Sequence, residues 1–287
     1  MGPVVFNLFV NDLYHSIRTA SLHNYADDNT ISAISSKKED VKKILISESL
    51  VAMDWFESNL TEANASKFQA LMLKTNDSVT FDLNGVQIES EDHVKLLGVY
   101  LDKNLNFKHH VGLIIKRAGT QLRVLQRLSQ LLDYQFKMEI FRSYILSHFT
   151  YCSMVWHFCG ETQAKKLESI QHRALKFVFS DYTANYETLL KRANLPSLEL
   201  ARNRLILTHV FKSLKGITPA FMNDLFLPRS TGYNLRNKNK LTNAHCRTVH
   251  YGLNSIAQHG ARLWNTLSDS TKNSKNVQDF KKKIKES

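Results

Sequence analysis

Two adjacent carboxylates, Asp27 and Asp28, are the residues of this 287-residue chain best suited to do chemistry. They follow Tyr25 and Ala26, and the stretches on either side of this group can be extended. Because Asp-Asp-Asn favours turns, we predict a β-hairpin with two acids at its tip. Aspartate favours turns for backbone reasons alone, so a solvated turn without a function is the alternative interpretation.

Paired carboxylates have a specific use if the hairpin tip is functional. Hard cations such as magnesium take oxygen ligands, usually one or two carboxylates together with substrate phosphates. Two such ions can stabilise both the entering and the leaving oxygen of a phosphoryl transfer. The functional interpretation is therefore that Asp27 and Asp28 are ligands of a divalent metal ion.

The charge of the chain is divided unevenly along its length. Residues 1–110 carry 10 Lys and Arg against 15 Asp and Glu, a net charge of −5, whereas residues 111–287 carry 28 against 11, a net charge of +17. This polarity suits an acidic metal-binding half followed by a half that grips a polyanion. A basic surface that serves only solubility is the alternative.

Several classes of protein fit the sequence poorly. No stretch reaches the ~18 uninterrupted apolar residues of a membrane span, and the first residues lack the basic region of a signal peptide. The cysteines, Cys152, Cys159 and Cys246, are odd in number and lack the spacing of zinc ligands. We therefore expect free thiols in a reducing, intracellular compartment, without a prediction between nucleus and cytoplasm.

The first third of the chain has the pattern of an α+β fold. Dense apolar residues predict a short buried helix within residues 3–18, and residues 37–60 predict an amphipathic helix whose polar face includes Glu48. Alternating apolar residues around an Asn-Gly pair at 84–85 predict a second hairpin. Residues 94–102 read as one further strand. We predict an incomplete antiparallel sheet with packed helices.

From about residue 107 the apolar spacing becomes helical and stays so. Four apolar stripes predict helices, within residues 111–132, 136–145, 167–178 and 198–214. Residues 229–247 contain basic side chains and no acid, which indicates an exposed loop that could contact phosphate or serve only as a flexible linker. Lysines at 281–285 predict a basic tail.

An ordered series of stretches resembles the reverse transcriptases of non-LTR (LINE-type) retrotransposons. Residues 2–13 resemble the segment after the family's Pro-Gln-Gly turn, and residues 25–28 (Tyr-Ala-Asp-Asp) resemble its catalytic hairpin. Residues 64–67 resemble a later palm segment, and residues 96–102 resemble the hairpin that supports the primer. Residues 262–265 resemble the C-terminal tail of such elements.

The resemblance implies roles for individual residues in an RNA-directed DNA polymerase that uses Mg²⁺. Asp27 would be a metal ligand, and Asp28 a second ligand or an electrostatic support. Tyr25 and Ala26 would shape the tip near the primer end. Lys67 would neutralise or protonate the leaving pyrophosphate, although a surface lysine before a strand is the alternative. The partners would be an RNA template, a DNA primer or duplex backbone, and a deoxynucleotide.

The resemblance also implies a division of the chain and a departure from the family. Residues 1–106 would be a truncated palm, residues 107–180 a helical thumb-like region, and residues 181–287 a basic helical extension. The family's further metal-binding aspartate comes from an upstream segment that this sequence does not contain, so we expect the chain alone to be inactive. A non-catalytic, nucleic-acid-binding relic of a retroelement is the alternative function. The sequence predicts no membrane partner and leaves the oligomeric state open.

Overall fold

The computed structural model describes residues 2–128, 131–229, 240–243 and 245–286. The chain forms two compact units, residues 1–105 and residues 106–287. The predicted fold class is confirmed, because small antiparallel sheets and packed helices precede a mostly helical region. The division into palm, thumb-like region and extension stays a prediction.

The first unit combines helices with short strands. Its helices are α1 (Gly2–Val10), α2 (Leu13–Ser16) and α3 (Lys38–Ser58), and its strands are β1 (Ser21–Tyr25), β2 (Asp28–Ser32), β3 (Thr80–Leu83), β4 (Val86–Glu89), β5 (His93–Leu96) and β6 (Val99–Asp102). In the described residues these strands pair as three antiparallel two-stranded sheets, β1–β2, β3–β4 and β5–β6. A continuous sheet is therefore not present in the described part of this unit.

Two hairpins are set by turns with left-handed backbone. Asn84 and Gly85 have φ values of +52° and +89°, which confirms the predicted Asn-Gly hairpin. Leu97 and Gly98 have φ values of +45° and +85° and join β5 to β6 in the same manner. The single strand read from the apolar pattern of residues 94–102 is therefore wrong, because the chain reverses at a turn that a leucine conceals from such patterns. The resemblance of residues 96–102 to a hairpin agrees with this turn.

The start of the chain differs from the predicted buried helix. Two helices, α1 and α2, replace the single helix expected within residues 3–18, and much of α1 is exposed. Val4 and Leu8 are 65% and 69% exposed, whereas Val10 and Leu13 are buried against α3. The expectation of a buried helix is therefore wrong. The density of apolar residues in α1 does not show which face of the helix is covered.

The second unit is built from helices. They are α4 (Lys108–Arg127), α5 (Tyr134–Ile140), α6 (Ser147–Thr150), α7 (Glu161–Phe179), α8 (Tyr186–Ala193), α9 (Leu198–Leu214), α10 (Ala220–Asn223), α11 (Ile256–Thr266), α12 (Asp269–Lys272) and α13 (Val277–Glu286). A π-helical segment, Phe141–Leu146, joins α5 to α6, and another covers Val249–Leu253. The four predicted helices correspond to α4, the α5–α6 segment, α7 and α9.

Polar side chains fix where several of these helices begin. Asp133, Asn185 and Ser197 precede α5, α8 and α9, and each side chain accepts a hydrogen bond from the backbone N–H three residues further on. Such a bond satisfies one of the donors that the first turn of a helix leaves without a partner. The cap at Asn185 helps to fix the start of α8, a helix whose apolar stripe is too short for a prediction from sequence.

The C-terminal lysines belong to a packed helix rather than to a free tail. In α13, Phe280 and Ile284 are buried in a cluster with α9 and α11, and the Phe280 ring stacks on that of Phe211 with 4.5 Å between centroids. The prediction of a basic tail is therefore incomplete, because the apolar residues between the lysines pin the segment to the unit. In the described part of the chain, no helix is long and apolar enough to cross a membrane.

The ends of the predicted loop at 229–247 are held together. The N–H of Arg229 donates to the carbonyl of Lys240 at 2.9 Å, and the N–H of Thr242 donates to the carbonyl of Leu227 at 2.9 Å. The predicted loop residues 230–239 and 244 lie outside the described residues. The prediction that this loop touches phosphate therefore stays a prediction.

Candidate metal-binding hairpin and basic groove

The hairpin formed by β1 and β2 places the two acids at its tip, as predicted. Tyr25 pairs with Asp28 in the antiparallel register, which leaves Ala26 and Asp27 as a two-residue turn. Ala26 has a φ of +52°, a left-handed conformation that costs a non-glycine residue roughly 1–2 kcal/mol. The tip is therefore a tight, strained reversal that presents two consecutive carboxylates.

The base of this hairpin is buried and its tip is exposed. Leu22 is buried in a cluster with Ala52 of α3, and Ile31 packs against the same cluster. Tyr25 is 67% exposed, and both tip acids are exposed. Apolar contacts with α3 thus anchor the strands while the tip projects into solvent.

The two tip carboxylates are available to a cation. Within the described residues, the carboxylates of Asp27 and Asp28 form no ion pair and accept no hydrogen bond, and Asn29 Nδ2 donates to the carbonyl oxygen of Asp27 at 3.3 Å. Two exposed carboxylates are hard oxygen donors of the kind that Mg²⁺ binds together with substrate phosphates. The donor set therefore fits part of a magnesium site.

The hairpin does not form a complete metal cage by itself. Among residues 2–128, 131–229, 240–243 and 245–286, no group of three or more His, Cys, Asp or Glu side chains is arranged to hold a metal ion. Any ion at the tip would thus rely on Asp27, Asp28 and ligands supplied from elsewhere, such as water or nucleotide phosphate.

Lys67 lies at the end of a short 3₁₀ helix in the first unit. The side chain of Asn64 accepts a hydrogen bond from the N–H of Ser66 at 3.1 Å, and this cap fixes the turn Ala65–Lys67. Lys67 is exposed, and no hydrogen bond or ion pair in the described structure joins it to either tip acid. Its assigned role near the nucleotide stays a prediction.

Sequence patterns miss one residue next to the hairpin, Glu48 of α3. We expect it on a solvated face, but it is only 5% exposed. Its carboxylate accepts hydrogen bonds from the backbone N–H groups of Arg18 and Thr19 and a short one from the Thr19 hydroxyl. The spacing of Glu48, four residues after Ile44 and four before Ala52, places it within the apolar stripe and was the available signal.

The second unit carries a basic groove between α4 and α7. Four exposed cations line it, Lys116 and Arg123 from α4 and Lys166 and Arg173 from α7. No acid lines the groove, and none of the four forms an ion pair within the described residues. We call this surface the α4–α7 groove.

Gly119 is one of the residues that line the α4–α7 groove. Gly119 lies in the middle of α4, and a Cβ atom built there would meet no other atom within 4 Å. Glycine in a helix interior costs roughly 0.5–1 kcal/mol relative to alanine. Internal packing does not require this glycine, because a Cβ atom at this position would lie in open space.

Comparisons with known proteins agree with the resemblance seen in the sequence. The chain is 25% identical over 214 residues to a Drosophila melanogaster protein named "Probable RNA-directed DNA polymerase from transposon BS", an alignment that covers 69% of this chain and 24% of that protein. It is 22% identical over 165 residues to the "Retrovirus-related Pol polyprotein from type-1 retrotransposable element R1" of Bradysia coprophila, covering 54% of this chain and 16% of that protein.

These relatives confirm that the chain is similar to polymerases of non-LTR retrotransposons. The chain spans about a quarter or less of the length of the two curated relatives. No family model matches the chain. No solved structure matches it.

Proposed function

We propose that the chain is part of an RNA-directed DNA polymerase of a non-LTR retrotransposon. The observation that carries this proposal is the β1–β2 hairpin, which presents Asp27 and Asp28 together, exposed and without partners in the described structure. The two relatives named as a polymerase and as a Pol polyprotein support the same class. The carboxylate pair and the relatives together support the proposal better than either does alone.

In the proposed reaction the hairpin serves the end of a growing DNA strand. Asp27 and Asp28 would hold a divalent ion, and such an ion would supply electrostatic stabilisation of the charge that develops when the primer end attacks the nucleotide. Tyr25 and Ala26 shape the surface against which the primer end lies. Lys67 neutralises the pyrophosphate or donates a proton to it.

We also propose that residues 1–287 do not extend a primer alone. Mg²⁺ demands near-ideal octahedral geometry and dehydrates reluctantly, so two adjacent carboxylates give it few fixed ligands. The absence of a third metal-binding side chain near the tip among the described residues supports this view. A further carboxylate from another polypeptide or segment would complete the site.

The α4–α7 groove supports a role for the second unit in holding nucleic acid. Its four cations, none of which forms an ion pair in the described structure, can neutralise phosphates of a backbone without reading bases. The same groove favours a second candidate function, a relic that binds nucleic acid without catalysis.

One experiment separates these possibilities. The purified chain is incubated with deoxynucleotides, Mg²⁺ and a DNA primer annealed to an RNA template, while binding of the hybrid and extension of the primer are both measured. We expect binding without extension, and we expect Asp27→Asn to leave the binding unchanged. Extension that disappears in Asp27→Asn would contradict the proposed inactivity. Failure to bind the hybrid would contradict the proposal that the chain is part of such a polymerase.

A further inference from the structure

The segment that leads into β1 is tied to α3 by a buried carboxylate. The N–H of Arg18 donates to Glu48 Oε2 at 3.1 Å, and the N–H of Thr19 donates to Glu48 Oε1 at 2.7 Å. The Thr19 hydroxyl also bonds Oε1. Three donors from two consecutive residues thus converge on one side chain, only two residues before the first strand of the hairpin.

The environment of Glu48 favours its charged form. Burial by itself would raise the pKa of Glu48, but hydrogen bonds from Thr19 and Arg18, with the nearby Arg18 charge, lower the pKa below its ordinary value. Hydrogen bonds to a charged acceptor are roughly twice as strong as those between neutral groups. The carboxylate therefore acts as a strong clamp on backbone that regular secondary structure leaves unpaired.

The clamp lies beside the apolar anchor of the same hairpin. Ala52, one helical turn after Glu48 on α3, belongs to the cluster that holds Ile17 and Leu22, which flank the clamped residues. Apolar packing thus holds the backbone on both sides of Arg18 and Thr19. Hydrogen bonds to Glu48 hold Arg18 and Thr19 themselves. Such a double attachment restricts the orientation of β1 relative to α3.

We propose that Glu48 is a positioning residue that holds the β1–β2 hairpin, and with it Asp27 and Asp28, in a fixed orientation on α3. It acts through the backbone of Arg18 and Thr19 and touches no reacting group. The functional importance of this role rests on the proposed function, in which Asp27 and Asp28 bind a metal ion. The attachment itself is a property of the fold and can be measured without any activity.

Native-state hydrogen exchange of the full chain tests the proposal. Glu48→Gln replaces one acceptor oxygen by an amide that faces N–H donors, so we expect the hairpin amides at 18–32 to open roughly tenfold to a hundredfold more often. Glu57→Gln, which changes an exposed glutamate on the same helix, is the matched control and should leave exchange unchanged. A purely structural role would raise exchange equally throughout the first unit rather than selectively in the hairpin.

A milder variant covers the case in which Glu48→Gln unfolds the first unit. Thr19→Val removes only the hydroxyl donor, and we expect a selective, severalfold increase in opening of the hairpin. In Glu48→Gln combined with Thr19→Val, the second change should add little, because both remove the same attachment. Unchanged hairpin exchange in Thr19→Val, or equal increases throughout the unit, would overturn the proposal. A negative exchange result would not contradict the proposed metal-binding role of Asp27 and Asp28. Conversely, a failure of these aspartates to bind metal would not change the exchange result.

Discussion

The imidazoles of His157 and His259 meet in the second unit, with 3.2 Å between their Nε2 atoms. His259 Nε2 also lies 2.9 Å from Asn203 Oδ1 on α9. Burial, followed by the nearby His259 and the Arg202 charge, lowers the pKa of His157 to about 3. A group that stays neutral when folded but takes a proton when unfolded makes stability depend on pH.

We expect the second unit to lose stability on acidification. Between pH 6.5 and about 3 the unfolded chain protonates His157 and the folded chain does not, so the free energy of unfolding falls as the pH falls. His259, whose pKa is lowered by burial and by Arg262, contributes with the same sign. Denaturant unfolding at several pH values measures the slope.

The matched variants for this prediction are His157→Gln and His245→Gln. His157→Gln removes the titrating group and should flatten the pH dependence, and His245→Gln, a change at an exposed histidine, serves as the control. An unchanged slope in His157→Gln would contradict the assignment of the effect to this pair.

Single residues also show how far sequence patterns reach. The turn preference of Asp27 and Asp28 predicts the hairpin tip correctly, because the relevant physics is local. Glu48 is missed, because its three hydrogen-bond donors lie about 30 residues earlier in the chain and only the folded structure brings them together. A buried acid reads as a surface acid until its partners are known.

At the scale of elements, α4 and α7 offer a direct test of nucleic-acid binding. We expect Lys166→Gln combined with Arg173→Gln to weaken binding of an RNA–DNA hybrid, because this variant lacks two cations of the α4–α7 groove. The slope of the logarithm of affinity against the logarithm of salt should become shallower for each phosphate that the variant no longer neutralises, by about 0.9 on duplex DNA and by a similar amount on the hybrid. Fluorescence anisotropy at several salt concentrations measures both quantities.

A control with the same change in charge isolates the groove. Lys165→Gln combined with Lys283→Gln also removes two cations, but each of these lysines already pairs with a carboxylate. This control should have a much smaller effect on affinity and slope. Equal reductions of affinity in both double variants would show that net charge alone, rather than the groove, drives binding.

Elements with strong local signals are predicted and the others are not. The Asn84–Gly85 hairpin and helix α9 follow from turn residues, a Ser197 cap and apolar spacing. The turn at Leu97–Gly98 is hidden because leucine rarely adopts a left-handed backbone. The exposure of α1 is likewise invisible, because apolar density does not say what covers a helix.

For the molecule as a whole, the division of charge is matched by a division into two compact units. The acidic hairpin belongs to residues 1–105 and the α4–α7 groove to residues 106–287. In the proposed polymerase, the proposed metal ligands belong to the first unit and the proposed phosphate contacts to the second. The sequence predicts this charge division, since charge is additive, but not the clamp at Glu48 or the α4–α7 groove.

The central claim is that Asp27 and Asp28 bind a divalent metal ion at the hairpin tip. Mn²⁺, a paramagnetic substitute for Mg²⁺, is titrated into the labelled chain while the broadening of each backbone amide signal is followed by nuclear magnetic resonance. We predict broadening centred on residues 25–29, and its loss in Asp27→Asn combined with Asp28→Asn with the other signals unchanged. The same broadening in that variant, or none at the hairpin in the unaltered chain, would contradict the claim.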